Sequence, residues 1–147
     1  MTNILIRILF LQCLFSSSAF AQYGAPDGQW PTYGGDLGHT RYSALDQIDA
    51  SNFSDLEVAW RFKTDNLGPS PEYRLQATPL MVDGTIYTTA GTRRAVVALD
   101  AQTGELLWKF GIDEGERGAF APRQLSGRGL AFWQNEDQSK VIYLSLI

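Results

Sequence analysis

Few side chains in this 147-residue sequence are of the types that usually catalyse reactions or bind metals. The chain has one cysteine, Cys13, and one histidine, His39. These counts exclude an internal disulfide framework, a cysteine-built zinc site and a histidine-rich metal centre. His39 is a candidate general base, but its position in an irregular Gly-rich segment favours a structural role. Any chemistry must therefore use carboxylates, amides, guanidinium groups or a bound cofactor.

Two polar residues are suited to binding an anionic ligand. Arg128 stands between two glycines, and a guanidinium can hold a carboxylate through two parallel hydrogen bonds. Gln76 stands just before a predicted strand, where its amide can donate and accept hydrogen bonds. The alternative interpretation is that Arg128 is a solvated loop residue and that Gln76 is an ordinary surface glutamine.

An acidic cluster, formed by Asp113, Glu114 and Glu116, follows the last strand of the predicted sheet. Such a cluster could suggest calcium, which takes about six to eight oxygen ligands. The spacing does not match an EF-hand loop, so we expect a solvated loop here.

Composition narrows the class of protein. With 12 basic and 16 acidic residues, the net charge of −4 argues against a nucleic-acid binder, which needs a basic surface. A hydrophobic content of 44% excludes wholesale disorder, and the length fits one domain.

Residues 1–21 have the pattern of a secretory signal peptide. Arg7 is their only charge, and their apolar run is shorter than the roughly 20 residues that span a bilayer. Small residues precede the expected cleavage after Ala21. We predict export of a mature chain, 22–147, that begins at Gln22 and carries a net charge of −5 once Arg7 is removed. The alternative is an uncleaved N-terminal anchor.

Strand patterns dominate the mature chain. Alternating and apolar runs separated by tight turns predict five strands, of which the last four form an antiparallel meander: 57–62, 78–82, Thr85–Ala90, Ala95–Asp100 and Leu106–Phe110. Two more strands, at 130–133 and 141–146, are expected to begin another such unit. Residues 51–56 predict one helical turn with a Ser or Asn cap.

A repeat links two of these strands. Val-Ala-Trp-Arg-Phe at 58–62 resembles Leu-Leu-Trp-Lys-Phe at 106–110, with the tryptophans 48 residues apart. Four strands at this period are typical of a β-propeller blade, and the alternative is two unrelated amphipathic strands. The sequence therefore predicts an all-β fold, a β-propeller fragment of about one and a half blades. The strand of Trp60 would belong to one blade and 78–110 would form the next.

Residues 98–108 resemble a known motif, A-x-D-x-x-T-G-x-x-x-W. This is the tryptophan-docking repeat of the pyrroloquinoline quinone (PQQ)-dependent dehydrogenases, eight-bladed propellers that oxidise alcohols or sugars outside the cytoplasm. Segments 30–36, 40–43, 76–84 and 126–133 resemble the N-terminal part of the same family, and most of all its quinoprotein glucose dehydrogenase branch. In the motif, Thr103 and Gly104 should make the turn, Asp100 should accept hydrogen bonds from it, and Trp108 should lie against the neighbouring blade.

The resemblance implies a cofactor site. PQQ is a planar quinone with three carboxylates, and Arg128 matches the family arginine that contacts it. Gln76 stands where the alcohol-oxidising relatives carry a glutamate. Pro122 and Arg123 replace the adjacent cysteines of some relatives, and Arg123 and Arg117 are either weak helpers or solvated charges. In the family the calcium ligands and the catalytic aspartate lie on later blades, so this chain should lack both.

The function implied is that of an N-terminal fragment of an exported, periplasmic PQQ-dependent dehydrogenase for a sugar or alcohol hydroxyl. The complete protein would hold calcium and reduce a quinone or cytochrome c, and the fragment alone would be inactive. Anchoring to the inner membrane, facing the periplasm, is the alternative location. One competing function is a non-catalytic propeller scaffold, which has no reason to keep Arg128 with Gln76. Another is a lectin-like binding module, which only the expected exposed aromatics suggest.

Overall fold

The computed structural model describes residues 24–70, 72–121 and 129–143. Its elements are a 3-10 helix (Phe53–Asp55), strands β1 (Leu80–Val82), β2 (Thr85–Ala90), β3 (Ala95–Asp100) and β4 (Leu106–Phe110), helix α1 (Gly115–Phe120), and strands β5 (Ala131–Gln134) and β6 (Ser139–Ile142). The predicted signal peptide and Gln22 lie outside these ranges. No helix within them is long and apolar enough to cross a membrane.

The first four strands form one antiparallel sheet in the order β1-β2-β3-β4, which confirms the predicted meander. Strands β2 to β4 have the predicted bounds, whereas β1 starts at Leu80 rather than at residue 78. Pro79 has no N–H to donate to a ladder, and Thr78 instead forms an isolated parallel bridge with Gly129. The first strand is therefore short, and the chain before it is paired elsewhere.

Strand β3 is the buried centre of this sheet. It has no polar side chain before Asp100, and Val97 and Ala98, which point to opposite faces, are both fully buried. This continuous apolar run is what a strand covered on both faces requires. One face forms the main hydrophobic core, to which Leu67, Ala90, Ala95, Leu99, Trp60, Phe62 and Ile86 contribute.

The turn between β3 and β4 confirms the predicted motif. The Asp100 carboxylate accepts hydrogen bonds from the backbone N–H groups of Gln102 and Thr103, at 3.0 and 2.8 Å, and from the Thr103 hydroxyl at 2.9 Å. These donors favour the charged carboxylate, and the backbone bond from Thr103 does most to lower the pKa of Asp100. Gly104 completes the turn at φ +72°.

The predicted strand at 57–62 is not formed. Among the described residues these six have no strand partner, and a strand requires a neighbouring strand for its hydrogen-bond ladder. The alternation still predicts correctly which side chains turn inward, because Trp60 and Phe62 pack against the core. The indole N–H of Trp60 also donates to the carbonyl of Ala101 at 3.0 Å.

Strands β5 and β6 form a separate antiparallel pair, as predicted for the start of a second unit. The Asn135 side chain accepts hydrogen bonds from the N–H groups of Asp137 and Gln138, which tightens the turn and starts β6 at Ser139, ahead of the predicted residue 141. Residues 144–147 of the second predicted strand lie outside the described ranges.

An aromatic contact links the two sheets. The ring of Trp108 lies 5.9 Å from that of Tyr87 between centroids, and Tyr87 lies 5.8 Å from Phe132 of β5. Trp108 keeps 42% of its surface exposed. The planes of the Trp108 and Tyr87 rings are inclined to each other by 45°.

Two short helical segments complete the fold. The predicted helical turn is present as the 3-10 helix. The Asn52 side chain does not cap this helix and instead accepts a hydrogen bond from the Asp49 N–H at 2.9 Å. Helix α1 was not expected, because two of its six residues are glycine. The acidic cluster that precedes and enters it is therefore not a simple solvated loop.

Candidate functional site

The two ends of the four-stranded sheet differ in their connections. At one end lie the tight turns at 83–84 and 101–105. At the other end the long connection 63–79 enters β1, the turn 91–94 joins β2 to β3, and the chain beyond Phe110 leaves β4. We call this second end the long-loop end. It gathers polar residues from three connections, as a binding site does.

A parallel bridge between Thr78 and Gly129 lies at this end, close in sequence to the two predicted site residues. Gln76 stands two residues before Thr78, and Arg128 stands one residue before Gly129. Arg128 itself lies outside the described residues, and Gln76 is half-buried.

Gly129 is required at this bridge by its backbone. Its φ of +145° is a conformation that residues with a Cβ rarely adopt. The space around it is not tight, since the nearest atoms to an added Cβ would be those of the Thr78 backbone at 3.9 Å. Gly129 is therefore required for its backbone conformation and not because space is short.

The turn 91–94 holds the connection that leads to Gln76. The Gly91 N–H donates to the Glu72 carboxylate at 2.9 Å, and the Thr92 hydroxyl donates to the Ser70 carbonyl at 3.0 Å. Gly91, at φ +76°, lies so close to Leu67 that an added Cβ would come within 2.2 Å of its carbonyl oxygen. These contacts fix the path of 67–72.

An ion pair lies at the same end, and sequence reasoning missed it. The Arg94 guanidinium donates to the Glu114 carboxylate at 2.5 Å, with side chains only 14% and 6% exposed. The expectation that Glu114 is solvated is therefore wrong. The sequence did offer a signal for one partner: two adjacent arginines, Arg93 and Arg94, stand directly before the most apolar strand of the chain.

The other candidates that the structure describes lie outside this arrangement. His39 is exposed in the N-terminal segment, with its ring centroid 6.2 Å from that of Tyr33. Arg117 is exposed on α1, while Pro122 and Arg123 lie outside the described ranges. Within those ranges no three Asp, Glu, His or Cys side chains are grouped as a metal site would require.

Comparison with known proteins decides the family. Residues 30–146 match the family described as glucose/ethanol/alcohol dehydrogenase, beta-propeller domain, which is named for PQQ. The chain belongs to this PQQ-dependent dehydrogenase family. The predicted β-propeller fold is thereby confirmed, and the two sheets are parts of that propeller.

Individual relatives of the PQQ family resemble the chain in sequence. It is 34% identical over 151 residues to the quinohemoprotein alcohol dehydrogenase of Comamonas testosteroni. It is 37% identical over 117 residues to the dehydrogenase subunit of the alcohol dehydrogenase (quinone) of Gluconobacter oxydans strain 621H. These alignments cover 87% and 77% of this chain but only 20% and 14% of the relatives. The chain therefore spans a fifth or less of their length.

Two solved dehydrogenase structures also resemble the structure of this chain. The crystal structure of the Comamonas testosteroni enzyme superposes with a TM-score of 0.60 at 36% identity, over 71% of this chain and 15% of that one. A europium-containing methanol dehydrogenase superposes with a TM-score of 0.56 at 30% identity, over 73% and 18%. The predicted closeness to the glucose-oxidising branch stays a prediction.

Proposed function

We propose that this chain is the N-terminal part of an exported, periplasmic dehydrogenase that uses PQQ to oxidise an alcohol or sugar hydroxyl. Family membership supports the reaction class, and the names of the relatives favour an alcohol. The observation that carries the proposal is the Thr78–Gly129 bridge, because it pairs the residue that follows Arg128 with a residue two positions after Gln76.

The residue types of Arg128 and Gln76 suit PQQ. The cofactor carries three carboxylates, so its site needs a cation and neutral hydrogen-bonding groups. Arg128 would hold a carboxylate through two charge-assisted hydrogen bonds, and Gln76 would donate to or accept from the polar edge. Bound PQQ supplies a quinone that takes up the two electrons removed from the hydroxyl-bearing carbon.

The remaining parts of the reaction belong to the complete protein. We assign the proton acceptor and the bound cation, calcium, to residues beyond this chain. One relative is described as containing europium, which supports a cation at the cofactor. Two others are named for a quinone and for cytochrome c, so either would be a suitable electron acceptor.

A PQQ titration of the complete gene product tests the role of Arg128. Arg128→Gln should raise the dissociation constant at least tenfold, because a charge-assisted hydrogen bond contributes about 1.5–3 kcal/mol. Gln76→Ala should raise it by roughly threefold to tenfold, as expected for a neutral hydrogen bond. The control is Arg117→Gln, which removes an exposed charge from α1 and should leave binding unchanged.

Two outcomes would contradict the proposal. Failure of the unaltered protein to bind PQQ would favour the non-catalytic scaffold. Equal weakening by Arg128→Gln and Arg117→Gln would show that general charge, and not the Arg128 position, attracts the cofactor.

A further inference from the structure

We propose that an open cavity at the long-loop end binds a carboxylate that is carried on an apolar body. The cavity has a volume of about 510 Å³, within the roughly 300–1,000 Å³ that is typical of small-molecule sites. Its walls come from three parts of the chain: residues 66–68, residues 93–95, and residues 109–113 at the end of β4. Neither Gln76 nor the Thr78–Gly129 bridge lines the cavity, so its ligand need not be PQQ.

Arg93 supplies the first cation of the cavity. Its side chain is half-buried, and its Nη1 atom is buried with no hydrogen-bond partner among the described residues. The neighbouring Arg94 differs, because its Nη2 donates to the Glu114 carboxylate. A buried guanidinium nitrogen without an acceptor costs free energy, and a bound anion would remove that cost. Arg93 is therefore placed to receive an acceptor from outside the described chain.

Lys109 supplies the second cation from the core-facing side of the sheet. In the β3–β4 register it stands opposite Val97, which is fully buried, and residues paired in this way point to the same face. Val97 and Ala95 on that face belong to the hydrophobic core, so a charged residue beside them is unusual. The apolar stem of Lys109 can pack along this face while its ammonium stays at the open cavity.

The rest of the lining determines which kind of anion fits. Asp113 is the one acidic residue in the described lining, and its carboxylate already accepts a hydrogen bond from the Gly115 N–H at 2.9 Å. Two cations against one carboxylate leave the cavity with a positive charge. Much of the remaining wall is apolar: Leu67, Ala95, Phe110 and Ile112. A carboxylate joined to an apolar group satisfies both features, and its two oxygens match the geometry of a guanidinium.

Two sources could supply such a carboxylate. One is a free carboxylic acid, which the volume of the cavity would admit. The other is an acidic side chain from the rest of the complete gene product, since this chain covers only 20% of one relative. The chemistry at Arg93 is the same for both sources, and the two differ in whether the cavity is open in the complete protein.

The test titrates the complete gene product with benzoate, a carboxylate on an apolar ring, and with benzamide, which has a similar shape but no charge. For a free acid, Arg93→Gln should raise the dissociation constant of benzoate about tenfold or more, the effect of losing a charge-assisted hydrogen bond. Lys109→Gln should raise it roughly twofold to fivefold, because Lys109 is exposed. Arg61→Gln is the matched control, since Arg61 is the counterpart of Lys109 in the earlier repeat and does not line the cavity.

Urea unfolding of the same variants distinguishes the two sources. If the rest of the protein supplies the carboxylate, benzoate will not bind, and Arg93→Gln will lower the urea midpoint because a buried carboxylate loses its partner. Arg61→Gln will leave the midpoint unchanged. If the acid is free, benzoate will bind, and Arg93→Gln will weaken that binding. Should Arg93→Gln fail to fold, Lys109→Gln is judged by the same two measurements.

Three results would overturn the inference. The first is that benzoate does not bind and that Arg93→Gln and Arg61→Gln have the same urea midpoint. The second is equal affinity for benzoate and benzamide, because the cations would then contribute nothing. The third is benzoate binding that Arg128→Gln weakens and Arg93→Gln does not, since the probe would then occupy the proposed cofactor site.

Discussion

The contact between Trp60 and Gly104 shows how one residue type can link two repeats. An added Cβ at Gly104 would lie 2.5 Å from the indole ring, and the indole N–H donates to Ala101 in the same turn. The tryptophan of one repeat therefore docks on the Thr-Gly turn of the next. The motif requires glycine both for its positive φ and for the ring above it.

Substitution of Gly104 tests this contact. Gly104→Ala should destabilise the fold by more than the about 1–2 kcal/mol that a Cβ costs in the left-handed region, because the ring of Trp60 must also move. Gly84→Ala is the matched control, since Gly84 has a φ of +75° and no atom within 4 Å of an added Cβ. Urea unfolding of both variants measures the difference. Equal destabilisation would show that Trp60 does not press on Gly104.

Sequence alone predicts which residues are candidates for binding PQQ. Gln76 and Arg128 follow from residue type and family resemblance, and the structure adds a bridge between Thr78 and Gly129, which stand just after them. The Arg94–Glu114 pair could not be predicted, because its partners are 20 residues apart and belong to different connections. The charges at 93–94 mark one partner, but which carboxylate it pairs with depends on tertiary structure.

Among the elements, predictions succeeded where local chemistry marks both ends of a strand. Strands β2 to β4 are bounded by Asp-Gly, Gly-Thr and Thr-Gly turns, so their predicted limits match. Segment 57–62 has the same alternation, but among the described residues it has no neighbouring strand, and local sequence cannot supply the second strand that a ladder needs. Helix α1 was missed because its Gly-rich sequence has low helix propensity.

Amide hydrogen exchange distinguishes a paired strand from an extended segment. In the 147-residue chain, β3 amides should exchange most slowly because they are paired on both sides and buried. Amides at 57–62 should exchange far faster, despite the inward packing of Trp60 and Phe62. Protection at 57–62 equal to that of β3 would mean that this segment is a paired strand after all.

At the scale of the whole molecule, the chain corresponds to only a small part of the length of its relatives. It spans 20% and 14% of two of them, and its two sheets leave large apolar side chains exposed. Trp108 and Phe110 of β4 are 42% and 52% exposed, on a sheet that a closed propeller would cover. A cofactor on the propeller axis would draw contacts from most blades, and this chain supplies few of them.

The isolated 147-residue chain should therefore show no PQQ-dependent dehydrogenase activity and hold PQQ weakly or not at all. One charge-assisted hydrogen-bond pair contributes about 1.5–3 kcal/mol, well below the roughly 8 kcal/mol of micromolar binding. Dye reduction with ethanol and glucose, after addition of PQQ and calcium, measures the activity. Turnover above the cofactor-only blank would place the active site within this chain.

The most direct test of the central claim is a structure of the complete gene product with PQQ bound. The account predicts that the Arg128 guanidinium lies about 2.7–2.9 Å from carboxylate oxygens of the cofactor, with Gln76 beside it at the long-loop end. The Thr78–Gly129 bridge should be retained. PQQ bound at another end of the sheet, or Arg128 turned into solvent while PQQ is bound, would contradict the account.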